Sequence, residues 1–131
     1  PLIFGEFSFK TIGIGTKNIN ASTYRLYVEK GIRTRKVKVD ILNWADYVFD
    51  KDYKLPTLAE VEKYIEQNKH LPDVPTAAEV EKDGIDLGEN QALLLKKLEE
   101  LTLYIIDINK KVEALSKEND ELKKKVNAVK Q

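Results

Sequence analysis

The chain has 131 residues, and its 22 Lys and Arg balance 22 Asp and Glu to a formal net charge of zero, with 34% of all residues charged. That neutrality removes the bulk attraction that draws basic proteins to nucleic acid or to an anionic membrane, so neither is expected as a partner. With no Cys and one His there is no disulfide framework, no thiolate nucleophile and almost no means of building a zinc centre, so no cofactor and no metal are expected.

The first 42 residues alternate apolar or β-branched residues with polar ones in short pieces. Leu2-Ile3-Phe4, Phe7-Ser8-Phe9, Thr11-Ile12-Gly13-Ile14-Gly15-Thr16, Tyr24-Arg25-Leu26-Tyr27-Val28 and the run Ile32 to Val39 each predict a short strand, punctuated by Gly5, Gly13, Gly15 and Gly31. Strands this short and this few do not bury themselves within one copy, so residues 1–42 read as a β-rich shaft segment whose strands intertwine with neighbours. Arg33, Arg35, Lys36 and Lys38 alternate with Thr34, Val37 and Val39 and are expected on the polar face of a strand rather than at an anion site.

Residues 43–88 change character. Trp44, Tyr47, Phe49 and Tyr53 lie within ten residues, interleaved with Asp46, Asp50 and Asp52. Thr57-Leu58-Ala59-Glu60 after Pro56 and Thr76-Ala77-Ala78-Glu79 after Pro75 are two capping boxes, each predicting a helix start. Leu58, Val61 and Ile65 then line one face of the first helix with Tyr64 beside them, and the second helix is expected to stop at Gly84. The link His70-Leu71-Pro72-Asp73-Val74-Pro75 is expected to be extended, because each Pro disfavours helix in the residue before it. The whole is a helix, link, helix collar.

From residue 89 to the end, 89–131, no Pro or Gly intervenes. Apolar residues recur at alternating steps of four and three, with Leu98, Ile105, Val112, Asn119 and Val126 at a and Leu94, Leu101, Ile108, Leu115, Leu122 and Val129 at d. Such a seam, sustained for five heptads, predicts a left-handed parallel coiled coil between copies of the chain, since no second long amphipathic helix is present to cover it. Asn119 at an a position penalises wrong registers, against the plainer reading of fraying near the end. The heptads leave two, three or four strands open, because Ile108 and Val129 at d compete with the β-branched a residues. Leu93, Leu95, Leu103, Tyr104 and Ile106 widen the stripe early, so the collar is expected to cover the helix near 93–106, leaving the part beyond Lys110 bare.

Chemistry-bearing residues are few. His70 has no second His or Cys beside it, and Asp46, Asp50 and Asp52 lack Ca²⁺-loop spacing, so both are expected to be structural or solvated. Trp44, Tyr47 and Tyr53 are candidate ligand contacts, weighed against a role as the collar's core. No stretch reaches the roughly 18 apolar residues of a membrane span, so membrane insertion is not expected. No catalytic residue is expected: Ser8, Ser22 and Ser116 have no recognisable catalytic neighbours.

Several segments are similar to known modules. Ile12-Gly13-Ile14-Gly15-Thr16 followed by Tyr24-Arg25-Leu26-Tyr27-Val28-Glu29-Lys30-Gly31-Ile32 resembles modules near the distal ends of bacteriophage tail fibres. Trp44-Ala45-Asp46-Tyr47-Val48-Phe49, Tyr53-Lys54-Leu55, His70-Leu71-Pro72-Asp73-Val74-Pro75, Gly84-Ile85-Asp86-Leu87-Gly88 and Leu101-Thr102-Leu103-Tyr104 resemble the C-terminal region of tail-fibre-like surface proteins of phages and bacteria. The resemblance implies a homotrimer on a virion surface or outside the cell, working without catalysis in attachment to a host-surface glycan or protein receptor. The alternative it leaves is the oligomerisation end of a bacterial secreted or cell-surface adhesin. The chain departs from self-cleaving fibre ends, whose S-D-x-R-L-K motif it lacks. The expected fold is thus α+β and elongated: intertwined short strands, a small helical collar and a parallel, trimeric coiled coil.

Overall fold

In the computed structural model, which describes residues 2–6, 10–19, 24–41 and 44–129, three strands precede three helices. The chain divides into two compact units, Pro1–Lys38 and Val39–Gln131.

In the first unit β1 (Ile3–Glu6) pairs antiparallel with β2 (Thr11–Ile14), and β3 (Leu26–Val28) lies parallel along the other edge of β2. The register sets Ile3 opposite Ile14 and Ile12 beside Leu26. Period two therefore puts these four on one face, and all four are exposed while Thr11 and Gly13 are buried. Gly13 is required by close approach: a Cβ there would meet the Thr16 carbonyl oxygen at 2.5 Å. The run 32–39 joins no ladder. Adjacent cations Arg35 and Lys36 break its alternation, and Thr34 turns back on Lys36, its hydroxyl accepting from the Lys36 N–H at 3.4 Å. The expected strand over Phe7-Ser8-Phe9 lies outside the described residues.

In the second unit both capping boxes form as the sequence predicts. Thr57 starts α1 (Leu58–Asn68) and Thr76 starts α2 (Ala77–Asp83), each Thr accepting from the N–H three residues on while the Glu there receives the Thr N–H. Gly84, at φ 76°, ends α2. The link between them is not fully extended, because Leu71-Pro72-Asp73-Val74 makes a turn: the Val74 N–H reaches the Leu71 carbonyl at 3.2 Å and Asp73 takes φ 65°. Proline supplies the second turn position, and Asp tolerates the left-handed third one.

The third helix, α3 (Leu87–Val129), has 43 residues, about 65 Å at 1.5 Å per residue. Asp86 caps it by accepting from the Glu89 N–H at 3.0 Å. Its first turn passes so close to the preceding segment that a Cβ on Gly88 would meet Ile41 at 3.0 Å and Val39 at 3.1 Å. Among the described residues the buried apolar core is small: Ala45, Val48 and Ala92. The aromatic run fills it less than composition suggests, since Trp44, Tyr47 and Phe49 stand at the surface and the small residues between them are buried. The chain is thus α+β, a three-stranded sheet followed by a long C-terminal helix, and no described helix is long and apolar enough to cross a membrane.

Candidate functional site: the seam and clamp of helix α3

The seam residues stand out of the single copy along the whole helix. Leu94, Leu98, Leu101, Ile105, Ile108, Val112, Leu115, Leu122, Val126 and Val129 are between 47% and 86% exposed, and Asn119 is exposed with them. Every residue from Ile105 to Val129 is exposed. Leaving a large aliphatic side chain in water forgoes roughly 1.5–3 kcal/mol relative to full burial, so a stripe of ten is a strong demand for cover.

The opposite face is already taken. In heptad terms Ala92 and Glu99 occupy b, Leu93 and Glu100 c, Lys96 and Leu103 f, Lys97 and Tyr104 g, and all of these are buried or half-buried. On a helical wheel b, f, c and g form one arc, facing away from a and d. Only Ile106, the last of the apolar residues outside the seam, escapes cover, at 45% exposed. The collar therefore docks on the back of the helix and leaves its front free.

A polar clamp holds that docking. The Tyr53 hydroxyl donates to Glu100 Oε1, and the Tyr104 hydroxyl donates to the Pro56 carbonyl at 2.6 Å. Lys97 donates to Glu100 Oε2 at 3.0 Å and to Asp73 Oδ2 at 3.2 Å, and Lys96 donates to the same Asp73 oxygen at 2.9 Å. Glu100 is only 8% exposed, and a buried carboxylate is tolerated when a cation and a hydroxyl both serve it. The Lys96 ammonium holds the Asp73 carboxyl below the usual carboxylate range, with Lys97 adding to the effect, while Asp73 raises Lys96. Burial pushes the Tyr53 phenol up, assisted by its bond to Glu100 and that residue's charge, and burial likewise raises Tyr104. Every member of this network answers another's charge or hydrogen bond, which is the chemistry of a fastening. Glu99 Oε2, by contrast, is shut from solvent with no hydrogen-bond partner.

Between α1 and α3 runs a groove of about 650 Å³. Its apolar lining comes from Leu58, Val61 and Leu71 on the collar and from Leu94, Leu98 and Leu101, three members of the seam, on the helix. No residue of α1 is buried, although Leu58, Val61 and Ile65 share its apolar face.

The other sequence-predicted residues scatter. Trp44 is 52% exposed, Tyr47 packs its ring against Tyr53 at 5.9 Å between centroids, and Tyr53 belongs to the clamp. His70 stands edge-on to Tyr64 at 5.6 Å, and its Nδ1 lies 2.9 Å from the Leu71 carbonyl. Among the described residues no group of three His, Asp or Glu side chains stands together to hold a metal ion. Ser116 lies on the exposed part of α3, while Ser8 and Ser22 lie outside the described residues. Sequence reasoning missed Asp73, Lys96, Lys97 and Glu100. The Pro72-Asp73 turn was the available signal for the first, and the position of the Lys pair at f and g, off the seam, for the next two. Comparison with protein-family models, with curated proteins and with solved structures gives no match.

Proposed function

We propose that the chain is the non-enzymatic oligomerising and distal module of a tail-fibre-like rod, associating as a parallel homotrimer through the α3 seam and serving attachment to a host surface. The observation that carries this reading is the division of α3 into two faces: the collar occupies the arc b, f, c and g, and the apolar stripe at a and d stands free from Leu94 to Val129. Parallel copies brought together by this stripe would each keep their collar on the outside, so association and docking do not compete for the same surface. The trimeric state and the role in attachment come from the motif resemblance, which also accounts for the sheet: its bare face of Ile3, Ile12, Ile14 and Leu26 needs cover from other copies just as the helix does.

Multivalency is the mechanism. Several weak receptor contacts presented on one rod add avidity without any new contact per site. Sedimentation equilibrium at micromolar concentration tests the premise: the expected mass is three times the 15.0 kDa of one chain, and a monodisperse monomer refutes the reading.

A further inference from the structure

We infer that the groove between α1 and α3 is the seat of a neighbouring copy's α3, so that each collar grips two helices, its own from behind and the neighbour's from the side, with the neighbour's Ile106 set against Leu58 and Val61. This rests on the self-association proposed above and adds to it a second contact outside the heptad seam.

The levels along α3 fix the pairing. The Tyr104 hydroxyl on the Pro56 carbonyl holds the start of α1 beside residue 104, and Asp73 on Lys96 and Lys97 holds the 71–74 turn about two turns lower. The groove therefore opens along the g and d edge of the helix between residues 94 and 104. In a parallel left-handed coiled coil a g residue faces the e residue of the following heptad on its neighbour. Tyr104 at g thus faces Asn109 of the next copy, and Lys97 faces Thr102. Between those two on the neighbour, one step further out at b, stands Ile106, the apolar side chain that its own collar leaves uncovered.

The groove's chemistry fits an apolar rod. Four of its five charged residues, Asp73, Lys96, Lys97 and Glu100, satisfy one another within the copy, and the fifth, Lys54, is exposed to solvent, so the lining holds no buried charge that asks for a charged ligand. Its floor is part of a stripe that continues, interrupted only by Asn119, to Val129, about 52 Å further on from Leu94 at 1.5 Å per residue, and an occupant that covers both floor and stripe must itself be a long helix with an apolar face. A second α3 has that length and face.

Because the chain has no Cys, introduced thiols report cleanly. Leu58→Cys and Ile106→Cys chains, one carrying an affinity tag, are co-expressed and oxidised, and the tagged–untagged disulfide is read on a non-reducing gel. A disulfide needs Cα atoms within about 7 Å, so the mixed pair is expected to cross-link on the order of tenfold more than either variant alone. Val112→Cys, far from the groove on the seam, serves as the separate report on association. If Val112→Cys chains cross-link while the mixed pair does not, the grip is overturned and the seam stands. If neither cross-links and the protein sediments as a monomer, both readings fall. Uptake of one apolar dye molecule per chain by the intact oligomer also overturns the grip, since it shows the groove open.

Discussion

The two halves of α3 have the same heptad pattern and opposite circumstances. From Leu87 to Tyr104 the helix has a collar behind it, a buried Ala92 and Glu100, and four hydrogen bonds to three collar residues, Tyr53, Pro56 and Asp73. From Ile105 to Val129 every residue is exposed, and what support it has is local: Lys111 to Asp107 at 2.7 Å, Asn109 to Glu113 at 2.8 Å, and Lys123 to Asp120 at 3.9 Å. Such pairs contribute only about 0.2–0.5 kcal/mol each, and amphipathic helices in water owe most of their stability to packing of the apolar face. The first half is held by its own chain; on the association proposed above, the second half is held by other chains.

The hardest test of that contrast is Ile108→Asp. A carboxylate in the seam replaces burial with the cost of desolvating a charge. It is expected to lower association at least a hundredfold, about 2.8 kcal/mol or more at 1.4 kcal/mol per tenfold. The helical circular dichroism of the second half should go with it, while fluorescence of the lone Trp44, beside the buried Ala45, reports the collar still docked. A Trp44 signal that collapses together with helicity breaks the division into two halves.

Acid and alkali should act on the collared half first. Asp73, Glu60 and Glu79 are held below the ordinary carboxylate range, Asp73 by Lys96 and the two glutamates by the backbone N–H groups of Thr57 and Thr76. Their contribution is whole above that range and lost as pH falls through their lowered values. Tyr53 and Tyr104 are raised, so the folded collar keeps protons that an unfolded chain releases near pH 10. That contribution is whole below about pH 10 and lost as pH rises further. A pH series following Trp44 emission should therefore show a plateau with a loss at each end; a flat response at both ends means the clamp contributes nothing to docking.

The smallest effect expected is a gain. Lys69 closes α1 in the left-handed conformation at φ 63°, where a Cβ is strained. Lys69→Gly is expected to stabilise the collar by roughly 0.5–1 kcal/mol, seen as a rise of a few degrees in its melting transition, without changing the oligomer.

What was legible in the residues was local. The boxes at Thr57 and Thr76, the stop at Gly84 and the long helix expected over 89–131 all follow from contacts four residues apart or fewer, and all form, the last as α3 from Leu87 to Val129. The strand from Thr11 to Ile14 was visible as alternation, though its pairing with β1 and β3 of the same chain was not, and the same alternation over 32–39 joined no ladder, because a strand needs a partner edge that its own sequence does not encode. The clamp was hidden for a like reason. Tyr53 meets Glu100 across 47 positions and Tyr104 meets Pro56 across 48, and nothing in either neighbourhood marks the other. Aromatic residues misled in the opposite direction: Trp44, Tyr47 and Phe49 promised a core, yet the chain buries Ala45 and Val48 instead.

The bond from Tyr104 to Pro56 also bears on the order in which an assembly is made. It pins the helix at the boundary where cover ends, so each newly made chain presents a short preformed stretch of seam, Leu94 to Leu101, ahead of a tail that is costly to wind alone. If copies associate as proposed, they meet first at that stretch, where ordering has already been done, and winding propagates from there toward Val129 as a closing zip. Encounter is concentration-dependent and closure is not. Dilution should therefore slow maturation of the rod far more than it loosens a rod once closed.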